Sequence, residues 1–348
     1  MKIFECKDAP IKVFGLMHFY DRGSLRRLPE EVMEKLPQLR QFGNRATGGR
    51  ICFRTNSKKL YVKLSSKTFI RDYAAPQIAS SGLNIFVGDR REGRFLGSVF
   101  PLGYVRCDNF NSEGTFELDG QMTDITMFMP KNEEVENVFI GIDDDAEIEA
   151  PTPYENEAPV VFYGSSITEG GCASRTGNAY NAMLSRRLNM DYINFGFSGA
   201  AKGEPELAEF LADLPMSVFV YDYDCNAPDA EYLEKTHEPF FKIIRQKNPE
   251  LPIIMISRPY YSKDTEEIDK RIAVIRKTYE NALANGDENV YFISGKTFFA
   301  MDDVFACTVD GTHPNDLGFY LMAKAILPTL EPVFLKAVEK EKEGKEEL

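Results

Sequence analysis

From Val160 onward, short apolar runs alternate with helical stretches, and this alternation constrains the fold more than any other feature of the chain. The apolar runs are Val160 to Tyr163, Tyr192 to Phe195, Val218 to Tyr223, Ile253 to Ser257 and Val290 to Ile293. Runs this short, bounded by Gly or polar residues, are the pattern of interior parallel strands. Helical stretches lie between them at Ala179 to Leu188, Pro205 to Ala212, Ala230 to Gln246 and Thr265 to Ala284. In the last of these, Ile268, Ile272, Ile275 and Tyr279 recur at helical spacing. Two closing helices are expected, near Leu317 to Leu327 and Val333 to Lys342, followed by a frayed charged tail. The repeat predicts an α/β fold: a three-layer, doubly wound parallel sheet of about five strands.

The first 150 residues read differently. Arg50 to Thr55, Leu60 to Ser65, Asn84 to Gly88, Gly114 to Leu118, Asp124 to Met129 and Val135 to Ile142 alternate or are short and β-branched. Asn, Gly, Asp, Ser and Lys clusters separate them, which predicts an antiparallel β-sandwich or jelly roll. One helical insert is expected near Pro29 to Leu36. The segment Glu149 to Pro159, with three prolines among polar residues, reads as a stiff connector. Two domains are therefore expected, an accessory sandwich over 1–150 and a second domain over 151–348.

A formal net charge of -13 argues against nucleic acid and anionic membrane as partners. The amino terminus shows no long apolar h-region, and no run is long enough to span a bilayer. Six cysteines are scattered at 6, 52, 107, 172, 225 and 307 with no C-x-x-C pair. Neither a metal site nor a disulfide framework is expected, and a reduced cytoplasmic location is.

Loops that follow the carboxyl ends of parallel strands share one face of the sheet. Four such segments carry chemistry: Gly164-Ser165-Ser166-Ile167-Thr168, Asn194 to Gly199, Tyr221 to Asn226, and Asp310-Gly311-Thr312-His313-Pro314. A serine hydroxyl is a poor nucleophile at neutral pH and needs a base. With three histidines in the chain, His313 is the candidate, and Asp310 is placed to bond the far imidazole nitrogen. Pro314 suits the first position of a helix. The amides of Ser166 and Gly199 and the side-chain amide of Asn226 are candidate oxyanion donors. His18 reads as a packed histidine, and His237, in a helical run, as a surface or packed one. Glu169, Arg175, Tyr223 and Asp224 are candidates for substrate contact.

These segments resemble the SGNH, or GDSL-like, hydrolase superfamily. The family's first block reads G-D-S-I-T; here it is Gly164-Ser165-Ser166-Ile167-Thr168, which places the nucleophile at Ser166. The other blocks match at Gly199, at Asn226, and at Asp310 with His313. Ser165 stands where the family has aspartate, and the third block reads DCN in place of G-x-N-D. A β-sandwich ahead of such a domain is similar to the two-domain carbohydrate esterases of that superfamily. The resemblance implies a flavodoxin-like sheet, no cofactor, and a serine esterase that removes acetyl groups from oligosaccharides or another small ester. Other readings are a lipase or thioesterase, and a non-catalytic glycan-binding protein. Homo-oligomer formation is left open.

Overall fold

A computed structural model describes residues 1–101, 110–259, 265–299 and 304–346. Cys107, one of the six scattered cysteines, lies outside the described residues. Up to Glu149 every strand pairing is antiparallel. One sheet runs in the order Lys2–Glu5, Val135–Ile142, Lys59–Ser66, Phe110–Glu117. The second runs Ile148–Glu149, Arg50–Thr55, Thr123–Phe128, Leu83–Val87, Arg94–Val99, with Lys12–Phe14 also on Arg50–Thr55. Side chains alternate across a strand, so Leu60, Val62 and Leu64 point inward and meet Ile51, Phe53, Ile85, Ile125, Met127, Val138 and Ile140. All six strands expected from the sequence form. Lys2–Glu5, Lys12–Phe14 and Arg94–Val99 were not legible, being short or interrupted by Gly and charged residues.

The third sheet is purely parallel, in the order Tyr192–Gly196, Val160–Gly164, Val218–Asp222, Ile253–Ile256, Val290–Ile293. Burial on both faces explains why these strands read as continuous apolar runs. Val160 and Phe162 face Tyr180, Leu184, Phe319, Met322 and Ile326. Val161 and Tyr163 face Leu207, Leu211, Leu233, Phe240 and Ile244 on the other side. The strand Val160–Gly164 comes first in sequence yet sits between the next two. The chain therefore reverses its winding direction there, and a crevice opens at the carboxyl ends of adjacent strands.

Two sequence expectations need correction. The closing region is one helix, Asp316–Glu346, that runs through Pro328 and Pro332. Leu330, Val333 and Phe334 are buried between and after those prolines, and that packing holds the helix on despite each missing N–H. Pro314 does not open this helix. It forms an isolated bridge with Thr308, and the cap is Asn315, whose Oδ1 accepts from the Gly318 N–H at 3.1 Å.

The two halves share cores. Phe86 and Phe128 of the antiparallel half pack in the same cluster as Tyr180 and Tyr192. Leu28, Val32, Met33, Leu36 and Leu39, around the helix Glu30–Lys35, pack with Tyr163 and Phe195. Arg50 is buried and reaches across to Asp191 and to the Tyr192 carbonyl, the latter at 3.0 Å. No described helix is long and apolar enough to cross a membrane.

Candidate active site

The strand Val160–Gly164 ends on a glycine because nothing larger fits. A Cβ there would lie 1.7 Å from Asp222 Oδ1 and 2.2 Å from Thr168 Oγ1. Ser165 follows as the N-cap of the short helix Ser166–Glu169, and its Oγ accepts from the Ile167 N–H at 3.2 Å. Ser165 is fully buried, whereas Ser166 is partly exposed at the first helical position. An N–H at that position has no intrahelical acceptor, so the Ser166 amide is free to meet a ligand.

Ser166 Oγ lies 2.8 Å from His313 Nε2. His313 Nδ1 lies 2.7 Å from Asp310 Oδ2. The other carboxylate oxygen accepts from the Thr312 N–H at 2.9 Å and the His313 N–H at 2.8 Å. Burial would raise the Asp310 carboxyl, but these N–H donors and the imidazole hold it below its ordinary value. The loop is pinned at both ends, Val309 N–H to the His313 carbonyl at 2.9 Å and Asn315 N–H to the Cys307 carbonyl at 3.0 Å. Gly171 closes the other side, where a Cβ would stand 3.3 Å from His313 Cδ2.

Gly199 sits at φ 69°, the left-handed region that disfavours a side chain. Its N–H donates to Asn226 Oδ1 at 3.1 Å, and Asn226 Nδ2 donates to the Phe197 carbonyl at 2.9 Å. The two candidate donors thus meet, and in this form they partly satisfy each other.

Three of the four candidate substrate contacts are placed elsewhere. Glu169 is buried and forms ion pairs with Arg27 at 3.0 Å and Arg45 at 3.7 Å, and it accepts from the Ser198 hydroxyl. Burial pulls the Arg27 guanidinium down to about 10, against the charge of Glu169. Tyr223 is buried, bonded to Thr236 Oγ1 at 2.9 Å and stacked beside His237. Asp224 is buried, accepts from the Arg258 N–H at 3.0 Å, and is pushed up to about 6 by burial. Each is buried in the protein interior, Glu169 and Tyr223 with polar partners far along the chain and Asp224 with one carboxylate oxygen bonded to the Arg258 amide. Arg175 is half-buried, with its guanidinium 4.1 Å from the ring centroid of Phe95 in the antiparallel half.

The sequence reading missed residues that support the site from a distance. Arg27 donates to the Gly196 carbonyl at 2.6 Å and the Asn194 carbonyl at 3.2 Å, besides Glu169. Lys131 is buried, pairs with Asp72 at 2.8 Å and donates to the Gly171 carbonyl at 2.5 Å. No local pattern marks either, since both act on backbone that is distant in sequence. Asp222, within the YDYD run, lies directly beneath the serine turn. Burial pushes the nearby thiols up, Cys172 to about 11 and Cys225 to about 12, which disfavours their thiolate forms. His237 is buried, with Nδ1 2.9 Å from Thr278 Oγ1. Among the described residues no group of His, Cys, Asp and Glu is arranged to hold a metal ion.

Comparison with known proteins places this arrangement in a family. The GDSL-like lipase/acylhydrolase family matches residues 157–331, and a family described as the N-terminus of SGNH-hydro-type esterases matches residues 1–148. No curated protein matches the chain. A Bacteroides ovatus ATCC 8483 protein, provisionally named a GDSL-like lipase, is 27% identical with a TM-score of 0.84, over 95% of this chain and 97% of its own. The salicylyl-acyltransferase SsfX3 of a tetracycline biosynthetic pathway has the same fold at 19% identity and a TM-score of 0.78, over 97% of this chain and 98% of its own. The acetyl xylan esterase Est2A of Butyrivibrio proteoclasticus does so at 14% identity and 0.60, over 95% of this chain and 99% of its own. With the matched segment spanning half of its length, the chain belongs to the GDSL-like lipase/acylhydrolase family.

Proposed function

We propose that the chain is a serine esterase that removes short acyl groups, acetyl foremost, from carbohydrate hydroxyls. The observation that carries the reading is the unbroken line of hydrogen bonds from Ser166 through His313 to Asp310. Ser166 Oγ attacks the ester carbonyl while His313 Nε2 takes its proton. Asp310 holds the imidazole in the tautomer with Nδ1–H and stabilises the imidazolium that forms. The oxyanion is received by the Ser166 and Gly199 amides and by Asn226 Nδ2, with the Gly199 N–H turning from Asn226 Oδ1 to the oxyanion. His313 then gives its proton to the departing sugar oxygen. Water, deprotonated by His313, attacks the acyl-enzyme, releases the carboxylic acid and restores Ser166.

The chain has no Trp to stack on a sugar. Phe305 and Val309 stand exposed on the stretch leading into Asp310 and His313, and they offer apolar surface for a sugar face. The likeness in fold to an acetyl xylan esterase agrees with this substrate class.

Mass spectrometry of acetylated xylo- and manno-oligosaccharides, before and after incubation, tests the reading. Loss of acetyl groups with wild type and not with Ser166→Ala supports it. Turnover of p-nitrophenyl palmitate in preference to the acetate would make the protein a lipase. No turnover of any ester would leave a glycan-binding protein.

A further inference from the structure

The loop over 67–76, which leaves the strand Lys59–Ser66 of the antiparallel half, is fixed by the turn over 130–134. Glu133 of that turn is fully buried and accepts from the Thr68 hydroxyl at 2.6 Å and the Ile70 N–H at 2.9 Å. Asp72 Oδ2 accepts from Lys131 Nζ at 2.8 Å and from Asn132 Nδ2 at 3.1 Å. Its Oδ1 accepts from the Ala74 N–H at 3.0 Å, which closes a tight turn with Tyr73 at the apex. Tyr73 is 98% exposed, so its ring lies outside the core.

The turn is tied to the wall of the imidazole. The Lys131 ammonium that pairs with Asp72 also donates to the Gly171 carbonyl at 2.5 Å. Gly171 in turn stands against His313, where a Cβ would come 3.3 Å from Cδ2. One buried lysine therefore joins the Tyr73 turn to the residue that flanks the catalytic base. The charges of Asp72 and Asp310 both act on Cys172, next in sequence to Gly171, so the two loops flank the same cysteine. The side matters chemically. His313 gives its proton to the departing oxygen, so the alcohol half of the ester lies on the imidazole side of the carbonyl. A substrate alcohol larger than one ring extends from that side, where the Tyr73 turn stands.

Resting on the esterase reading above, we infer that Tyr73 is a specificity-determining residue: its ring stacks on a sugar next to the one that carries the acyl group, so that the antiparallel half selects oligosaccharides over single-ring esters. A tyrosine offers a flat apolar face to the C–H face of a sugar and a hydroxyl at its tip. A turn fixed in advance by Asp72 and Lys131 loses little freedom when a ligand settles on it. The bond-breaking chemistry stays with the parallel half, and the antiparallel half reads the length of the alcohol.

The test measures kcat and KM on acetylated methyl xyloside and methyl mannoside, and on acetylated xylotetraose and mannotetraose. The proteins are wild type, Tyr73→Ala, Tyr73→Phe and Tyr73→Trp, with Ser166→Ala as the blank. On the tetrasaccharide that wild type prefers, Tyr73→Ala should raise KM by roughly three- to tenfold, with a smaller change in kcat. On the matching single ring the rise in KM should be much smaller. Tyr73→Phe and Tyr73→Trp keep a flat ring and should keep the low KM. A tetrasaccharide KM that Tyr73→Ala leaves unchanged, or one that rises equally on one ring and on four, overturns the inference. So does a loss confined to kcat, which would make the tyrosine structural. Wild type that cleaves p-nitrophenyl acetate and neither tetrasaccharide also overturns it, while leaving an esterase. Turnover by Ser166→Ala equal to wild type would instead bring down the esterase reading itself.

Discussion

The guanidinium of Arg27 donates to the carboxylate of Glu169 at 3.0 Å, and neither side chain is reached by solvent. Arg27 precedes the helix Glu30–Lys35, and Glu169 closes the helix that opens with Ser166. Glu169 also accepts from Ser198, the residue before Gly199. One buried ion pair thus joins the antiparallel half, the serine turn and the glycine loop.

Breaking that pair should be costly, because the surviving charge stays buried. Glu169→Gln is expected to lower unfolding stability by about 3–5 kcal/mol, and esterase activity with it. Arg27→Lys should not rescue, since a lysine lacks the fork that also reaches the Asn194, Gly196 and Phe42 carbonyls. Urea midpoints check both. A Glu169→Gln protein as stable as wild type would refute the bracing role.

Adjacent serines should respond differently. Ser166→Ala is expected to abolish ester turnover with the fold intact, because it removes the attacking atom. Ser165→Ala loses an N-cap bond, which costs about 1 kcal/mol, and should retain turnover. Steady-state kinetics with thermal melts separates these outcomes. A dead Ser165→Ala beside an active Ser166→Ala would reverse the assignment.

Asp310→Asn should lower kcat by about 10²–10⁴ with a much smaller effect on KM, since asparagine presents the wrong group to His313 Nδ1. Asp310 is held below its ordinary carboxyl value, so it is ionised at every pH above that value. The loss should therefore be the same across the neutral range and shrink only in strong acid. A deficit that varies through neutrality would show that Asp310 titrates there.

His237 supplies an acid-sensitive element remote from the chemistry. Burial lowers its imidazole from 6.5 to about 3 in the folded chain. The unfolded chain binds a proton below about pH 6.5, and the folded chain does not until about pH 3. Stability should thus be intact above about pH 6.5 and fall steadily as the pH drops through that window. His237→Phe, stacked on Tyr221 and Tyr223, should flatten this part of the profile in denaturant titrations. An unchanged slope would mean that other groups dominate acid unfolding.

Much of this architecture could be read from the sequence because the signals are local. Parallel strands buried on both faces gave unbroken apolar runs, and Val290–Ile293 and Pro205–Ala212 form where the pattern puts them. Ser166, Asp310 and His313 lie in compact blocks, and the fold brings them into contact. The roles of Glu169, Tyr223 and Asp224 were not legible. A polar side chain in a strand-end turn can face the crevice or the interior, and partners far along the chain decide which. Arg27 claims Glu169, Thr236 claims Tyr223, and the Arg258 amide claims Asp224. For the same reason nothing distinguished Asp222 from Asp224 within one YDYD run. The single closing helix was missed because two prolines ordinarily mark a break, and only tertiary packing overrides them.

The Arg27–Glu169 contact spans 142 positions of sequence. During translation the guanidinium therefore leaves the ribosome long before its anion has been made, and so does Lys131 before Gly171. The early half must wait, with its cation and the apolar side chains of Leu28 and Val32 uncovered, until the later half arrives. A polypeptide stopped at residue 150 should accordingly bind a hydrophobic dye and chaperones, and lose both on reassociation with the missing half.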